Sequence, residues 1–342
     1  MIADVLPVPP ERVAAAKQVA AVLKPGQRVA ITTHVNADGD GVGSEVGLWH
    51  LLSQQGLRPL IVNPTGVPDR YQFLLPEGAD ASAHAGKEVA RADVVIVLDI
   101  ADLPRLGDLA TAVRERGKLV PVACIDHHVS PGTLPEGPRL VAPEATATAE
   151  LVFDLATALG WPLSADAARA LYVGLLTDTG GFRFSNTTAR ALQVAAALLQ
   201  RGVDPESIYE AVYANAPEGR VRLLAEVLQT LVVEPGLGLA WITVPNGALE
   251  RHGATPDDLD GIVEHARSIG GVRLALLFRQ IANGRIKVSF RSMGDVDSAA
   301  LAQRFGGGGH RKAAGASLEG SLGAAQEQVL AAARHYLNDG GR

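Results

Sequence analysis

Short apolar runs alternate with helical periodicities along the amino-terminal part of the chain. The runs fall at 28–33 (RVAITT), 59–63 (PLIVN), 93–100 (DVVIVLDI) and 119–125 (LVPVACI). Nearly every position in them is apolar, which predicts strands buried on both faces, as in a parallel sheet. Helical patterns stand between them at 10–23, where Pro10 suits a first turn, and at 44–56, closed by Gly56. Alternation of this kind predicts an α/β unit with helices on both faces of the sheet. From 144 to about 231 the pattern is helical. Strands return at 238–244, 272–281 and 285–292, with helical segments near 256–268, 296–305 and 321–337. The ANG turn at 282–284 predicts a hairpin between the last two strands. The reading is an N-terminal parallel-sheet unit over 1–203, a helical linker over 204–234 and a smaller C-terminal α+β unit over 235–342.

Composition narrows the setting. With 47% apolar and 20% charged residues in 342, the chain is globular and long enough for two cores. Its single cysteine, Cys124, allows no disulfide within the chain and fits a reducing, cytoplasmic setting. The first residues lack a basic start followed by an apolar stretch, so no signal peptide is expected. No run approaches the roughly 18 consecutive apolar residues of a membrane span. A net charge of −6 argues against coating long nucleic acid, yet leaves room for a short anionic ligand in a local basic pocket.

Candidate chemistry gathers where the apolar runs end. His34, Asp38 and Asp40 follow the first, Asp99 closes the third, and Asp126, His127 and His128 follow the fourth. Asp178 ends a further apolar segment ahead of a glycine pair. Ligands of an open parallel sheet bind outside the carboxyl ends of its strands. A lone Asp after a strand is ordinarily a cap or a turn residue, but a turn does not need two imidazoles. Bringing Asp38, Asp40, Asp99 and Asp178 together without cations would force some of them to protonate. With neutral His34 and His127 they balance two divalent ions instead. The mixed oxygen and nitrogen set suits Mn2+ and tolerates Mg2+ or Co2+, and the absence of thiolates argues against cysteine-type structural zinc. Two such ions about 3.5–4 Å apart clamp a phosphoryl group and activate water.

The segment FGGGGHRKAAG (305–315) has a reading of its own. Consecutive glycines let backbone amides approach an anion, and a helix start after them would favour negative charge. Arg285, Lys287, Arg291, Arg304, Arg311 and Lys312 stand there against Asp295 and Asp297. Arg291 and Ser292 are candidates for gripping a terminal phosphate, with Gly308, Gly309 and His310 beside them. Arg105, shortly after Asp99, is a candidate phosphate contact.

HVNADGD, VVIVLDIAD, IDHH and LLTDTGGF, in that order, resemble the motifs of the DHH phosphoesterase superfamily. FGGGGHRKAAG resembles the signature of its DHHA1 companion domain, and together with KVSFRS (287–292) it is similar to the bifunctional nanoRNase and pAp phosphatase group. The resemblance implies one metal held by His34, Asp38 and Asp99, and a second held by Asp40, Asp99, His127 and Asp178, with Asp99 bridging. It also implies that His128 faces the scissile phosphate while Asp126 orients a neighbouring imidazole. The chain departs at Ala37, where many relatives carry proline. The implied activity trims very short RNA to mononucleotides and converts 3′-phosphoadenosine 5′-phosphate (pAp) to AMP, in a homodimer. A cyclic or linear dinucleotide phosphodiesterase would use the same residues. A single-strand DNA exonuclease fits the charge less well. A nucleotide sensor that had lost the chemistry would show a broken ligand set, whereas every proposed ligand is present.

Overall fold

The computed structural model describes residues 6–129, 132–281 and 284–340, apart from the side chains of Asp257 and His310. The chain divides between Asn215 and Ala216 into two compact units. Among the described residues no helix is long and apolar enough to cross a membrane.

The first unit contains α1 (Pro10–Ala21), β1 (Arg28–Thr32), α2 (Gly39–Gln54), β2 (Arg58–Ile61), α3 (Ala85–Arg91), β3 (Val94–Leu98) and α4 (Leu109–Gly117). It continues with β4 (Val122–Asp126), β5 (Arg139–Val141), α5 (Thr148–Leu159), α6 (Ala165–Asp178), α7 (Ala189–Leu199) and α8 (Pro205–Tyr213). The strands form one parallel sheet in the order β2-β1-β3-β4-β5. Strand side chains alternate between two apolar cores, as a pleat requires: Val94, Ile96 and Leu98 enter one, Val95 and Val97 the other. That is why the strands read as continuous apolar runs. The order reverses between β1 and β3, so the carboxyl ends of these neighbours flank the switch point where such sheets bind ligands.

Helix α2 begins five residues before the point the apolar periodicity predicts. Its glycines are packing residues. A methyl group at Gly43 would stand 2.5 Å from the Ala170 carbonyl oxygen and 2.8 Å from the Gly174 nitrogen of α6. The bare backbones therefore lie almost in contact, and the glycine run is the seam between two helices. The approach seats Asp40 inside the unit.

A buried ion network ties α1, α5 and α7 together. Arg12 donates to Glu150 at 2.7 Å, to Asp154 at 2.8 Å and to Glu144 at 3.0 Å, and Arg190 pairs with Asp154 and, at 3.3 Å, with Glu150.

The second unit contains α9 (Glu218–Leu228), β6 (Val232–Glu234), β7 (Leu239–Thr243), α10 (Ala248–Arg251), α11 (Ile262–Arg267), β8 (Leu274–Gln280) and β9 (Arg285–Ser292). After these come α12 (Ser298–Gln303), β10 (Gly308–His310), β11 (Ala313–Glu319) and α13 (Leu322–Asn338). Its mixed sheet has the order β10-β11-β9-β8-β7-β6, with β7 and β8 parallel and the remaining pairs antiparallel. Strands β8 and β9 pair antiparallel as a hairpin would; residues 282 and 283 of the expected turn lie outside the described residues. The glycine segment differs from the expectation of a loop leading into a helix. It enters β10, and the chain returns as β11. A side chain at Gly309 (φ +142) would meet the Ala313 carbonyl oxygen at 2.6 Å, so the close strand pairing needs glycine there. Strand β11 was illegible because AAGAS carries small residues on both faces and shows no contrast of period two.

Candidate metal centre

Asp38 caps α2, its Oδ1 accepting from the amides of Asp40 and Gly41 at 3.1 Å each, which leaves Oδ2 facing His34 Nε2 at 3.7 Å. The same His34 nitrogen lies 3.8 Å from Asp99 Oδ2, while His34 Nδ1 donates to the Val35 carbonyl at 2.9 Å. That local bond fixes the ring and points its other nitrogen into the cluster. His127 is held likewise: Nδ1 meets the Ala145 carbonyl at 3.3 Å, and Nε2 lies 3.5 Å from Asp99, 3.8 Å from Asp40 and 3.8 Å from Asp178. Two groups of converging ligand atoms result, one from His34, Asp38 and Asp99 and one from Asp40, His127 and Asp178. Asp99, His127 and His128 form a third. The carboxylates reach the cluster from different elements; Asp178 arrives on the last turn of α6, not on a strand.

Asp126 is fully buried at the end of β4. One oxygen accepts from the His128 amide at 3.1 Å and from His128 Nδ1 at 2.8 Å; the other accepts from the Ala101 amide at 2.9 Å. The pairing fixes the His128 tautomer with its proton on Nδ1 and leaves Nε2 as the nitrogen available to another group.

Backbone strain concentrates here as well. The non-glycine residues with positive φ among those described are Asn36, Asp99, Ala101 and Phe182, each within a few residues of a cluster member. Such conformations cost on the order of 1–3 kcal/mol apiece and persist where the surroundings enforce them.

Electrostatics tests whether the cluster suits a cation. Burial, and after it a neighbouring carboxylate, pushes Asp40, Asp99 and Asp178 up to about 7. Burial opposes charge on His127, but Asp40, Asp99 and Asp178 raise it to about 9. Without cations the cluster must take up protons. Divalent ions satisfy the same oxygens and nitrogens in their deprotonated forms, so the donor set fits them.

Sequence reasoning missed Thr148 and Asn186. The buried Thr148 hydroxyl donates to Asp99 Oδ1 at 3.0 Å, while the Thr148 and Ala149 amides donate to Asp40 at 2.6 and 2.9 Å. The amino end of α5 thus holds two carboxylates of the cluster at once. Asn186 donates to Asp178 Oδ2 at 3.3 Å. Both lie in small-residue stretches (ATATAE and SNTT) that read only as a helix start and a loop.

A second polar chain supports the His34 loop from behind. Glu45, buried in α2, accepts from Asn63 Nδ2 at 2.9 Å, and Asn63 Oδ1 accepts from the Thr33 amide at 3.1 Å. Burial raises the Glu45 carboxyl well above its ordinary value of 4.5. The folded state therefore keeps a proton that the unfolded state loses, and the stability this contributes is lost as pH rises above the unfolded value. Glu45→Gln mimics the protonated form, so the metal-free variant should melt above wild type at pH 8 and beside it at pH 5. Melting curves at the two pH values check this; an offset that does not change with pH would show that Glu45 is ionised in the fold.

The other sequence candidates are placed as follows. Arg105 is exposed, and its carbonyl accepts from the Val35 amide at 2.8 Å, pinning the His34 loop. Arg291 donates to Glu264 at 3.0 Å. Ser292 is buried, its hydroxyl donating to the Val296 and Arg311 carbonyls at 2.8 and 3.1 Å, so it holds the following loop rather than facing solvent. Arg311 and Lys312 bind carbonyls of residues 294–296 of that loop. Gly308 is exposed and has open space where a side chain would go. The His310 side chain lies outside the described residues. A cavity of about 290 Å³ lined by Arg28, Arg58 and Arg91 lies at the amino ends of β1 and β2, away from the cluster.

Residues 28–175 match the DHH family, N-terminal domain, and residues 239–339 match the DHHA1 domain. The chain belongs to the DHH family of metal-dependent phosphoesterases. Over 316 residues it is 36% identical to the bifunctional oligoribonuclease and PAP phosphatase NrnA of Thermus thermophilus, covering 92% of this chain and 91% of the relative. The Bacillus subtilis protein of the same name is 30% identical over 85% of this chain and 89% of its own length. A solved structure of an exopolyphosphatase-related protein from Bacteroides fragilis superposes with a TM-score of 0.89 at 28% identity, covering 95% of this chain and 97% of that one.

Proposed function

We propose that this chain is a two-metal hydrolase that degrades very short RNA to mononucleotides and removes the 3′-phosphate of pAp to give AMP. The observation that carries the reading is the convergence of His34, Asp38, Asp40, Asp99, His127 and Asp178 on one site, in a chain 36% identical to an enzyme with both activities in its name. His34, Asp38 and Asp99 would hold one ion, and Asp40, Asp99, His127 and Asp178 would hold the other, Mn2+ being the ion that best suits these donors. Bound divalent ions supply Lewis-acid stabilisation of the phosphoryl oxygens and a lowered pKa for water.

The protein's own part is positioning. Thr148 fixes Asp99, the amides of α5 fix Asp40, and Asp126 holds His128 with Nε2 available to a phosphate oxygen. Overall, water adds to phosphorus, the bond to the nucleoside oxygen breaks, and that oxygen takes up a proton. Because RNA and pAp share a phosphate ester at the 3′-oxygen, one centre serves both.

Product analysis on 5′-labelled pApA, longer oligoadenylates, pAp and cyclic di-AMP with Mn2+ tests this reading. Mononucleotides from the shortest RNA and AMP from pAp are expected. Cleavage of cyclic di-AMP alone would replace the reading with a cyclic-dinucleotide phosphodiesterase.

Arg291, whose guanidinium donates to Glu264 at 3.0 Å, is the candidate for gripping a terminal phosphate. Arg291→Ala should lower selectivity for pAp over bis-p-nitrophenyl phosphate by roughly ten- to a hundredfold, the loss of a charge-assisted phosphate contact. Paired kcat/KM values check it. Equal losses on both esters would place Arg291 in support of the fold instead.

A further inference from the structure

A cavity of about 210 Å³ opens in the first unit against Asp38 and Asp178, two members of the acidic cluster. Its remaining walls include Arg70, Tyr71, Val212 and Tyr213. Tyr213 ends α8, a helix that buries only Ile208 of its residues, and is 44% exposed. Tyr209, one turn earlier and 58% exposed, brings its ring centroid within 5.4 Å of Tyr213 at an angle of 47°. The Arg70 guanidinium lies 5.0 Å from the centre of the Tyr71 ring. Arg70 and Tyr213 line the same cavity. An exposed aromatic ring and a guanidinium lining one cavity make a surface for a flat, π-rich ligand, because every nucleobase offers a stacking face. The volume is below the roughly 300–1,000 Å³ of pockets that bury a drug-sized ligand, so it suits a base and its sugar and no more.

We infer that this cavity holds the nucleoside beyond the scissile phosphate of a short RNA, its base stacked on Tyr213. The inference rests on the function proposed above and adds a specificity residue to it. Its geometry follows from the walls. A group seated against Asp38 and Asp178 lies next to the place where a phosphate would meet ions held by these carboxylates. In pApA a second adenosine follows that phosphate; in pAp nothing does. The cavity is therefore filled by RNA and left to solvent by pAp.

The experiment compares kcat/KM for pApA and pAp, with Mn2+, on wild type, Tyr213→Ala and Tyr213→Phe. Stacking of one base on one aromatic ring predicts that the pApA-to-pAp ratio falls about tenfold in Tyr213→Ala. The ratio should be retained in Tyr213→Phe, which keeps the ring. An unchanged ratio in Tyr213→Ala overturns the assignment, as does an equal loss on both substrates, which would put the pAp nucleoside itself in the cavity. A loss in Tyr213→Phe as large as in Tyr213→Ala overturns stacking as the cause. A wild type that hydrolyses neither substrate fails the parent reading and this one together, and that outcome is visible in the wild-type values alone.

Discussion

Replacing Asp99 with asparagine is expected to reduce hydrolysis of pAp and short RNA to about a thousandth of wild type or less, at the upper end of what removing one preorganised charged or dipolar group costs. Asp99 touches both ligand groups: its oxygens lie 3.8 Å from His34 and 3.5 Å from His127. Asparagine is the informative replacement because Asp99 has a φ of +55, a conformation that Asn tolerates and Ala resists. The Thr148 hydroxyl still finds an oxygen at 3.0 Å, so the fold should survive while the shared charge is lost. Rates and bound manganese on the folded variant check the assignment. A variant that keeps two ions per chain and most of its activity would remove Asp99 from the bridging role.

The second large effect is on stability. Asp154→Ala should destabilise the first unit by about 3–5 kcal/mol, the cost of leaving buried charges without their partner. Asp154 is fully buried between Arg12 and Arg190. Burial raises its carboxyl against both guanidiniums, while carboxylate partners hold Arg12 above its ordinary value against burial. With two guanidiniums in direct contact, the ionised carboxylate is the form the fold contains. The urea midpoint measures the loss at constant slope. A shift worth less than about 1 kcal/mol, the range of exposed pairs, would mean that solvent already screens the network.

The strands were legible because a sheet covered on both faces leaves a continuous apolar run, and β1, β3 and β4 have no polar interior position. The residues of the cluster were legible for a related reason. His34, Asp99 and Asp126 to His128 sit where apolar runs stop, and no packing role explains that many charged groups at one edge. What stayed hidden is local packing. Gly43 looks like a turn residue until Gly174 is known to lie against it, and Thr148 looks like an ordinary helix start until its hydroxyl meets Asp99. Ser292 misled in the opposite sense: its place in KVSFRS gave no sign that Val296 and Arg311 consume its hydrogen bonds. Tyr213 lies in a helix outside the motifs that the sequence singles out, and only the fold brings it beside Asp38 and Asp178.

The cluster around Asp99 is expected to work as a pair of metal sites. The most direct measurement titrates Mn2+ into dialysed protein and follows bound equivalents and pAp hydrolysis in the same samples. Two equivalents should bind per chain, with turnover appearing as the second is taken up and disappearing in chelator. Hydrolysis that reaches its plateau at one equivalent, or persists when no metal is bound, would contradict the account.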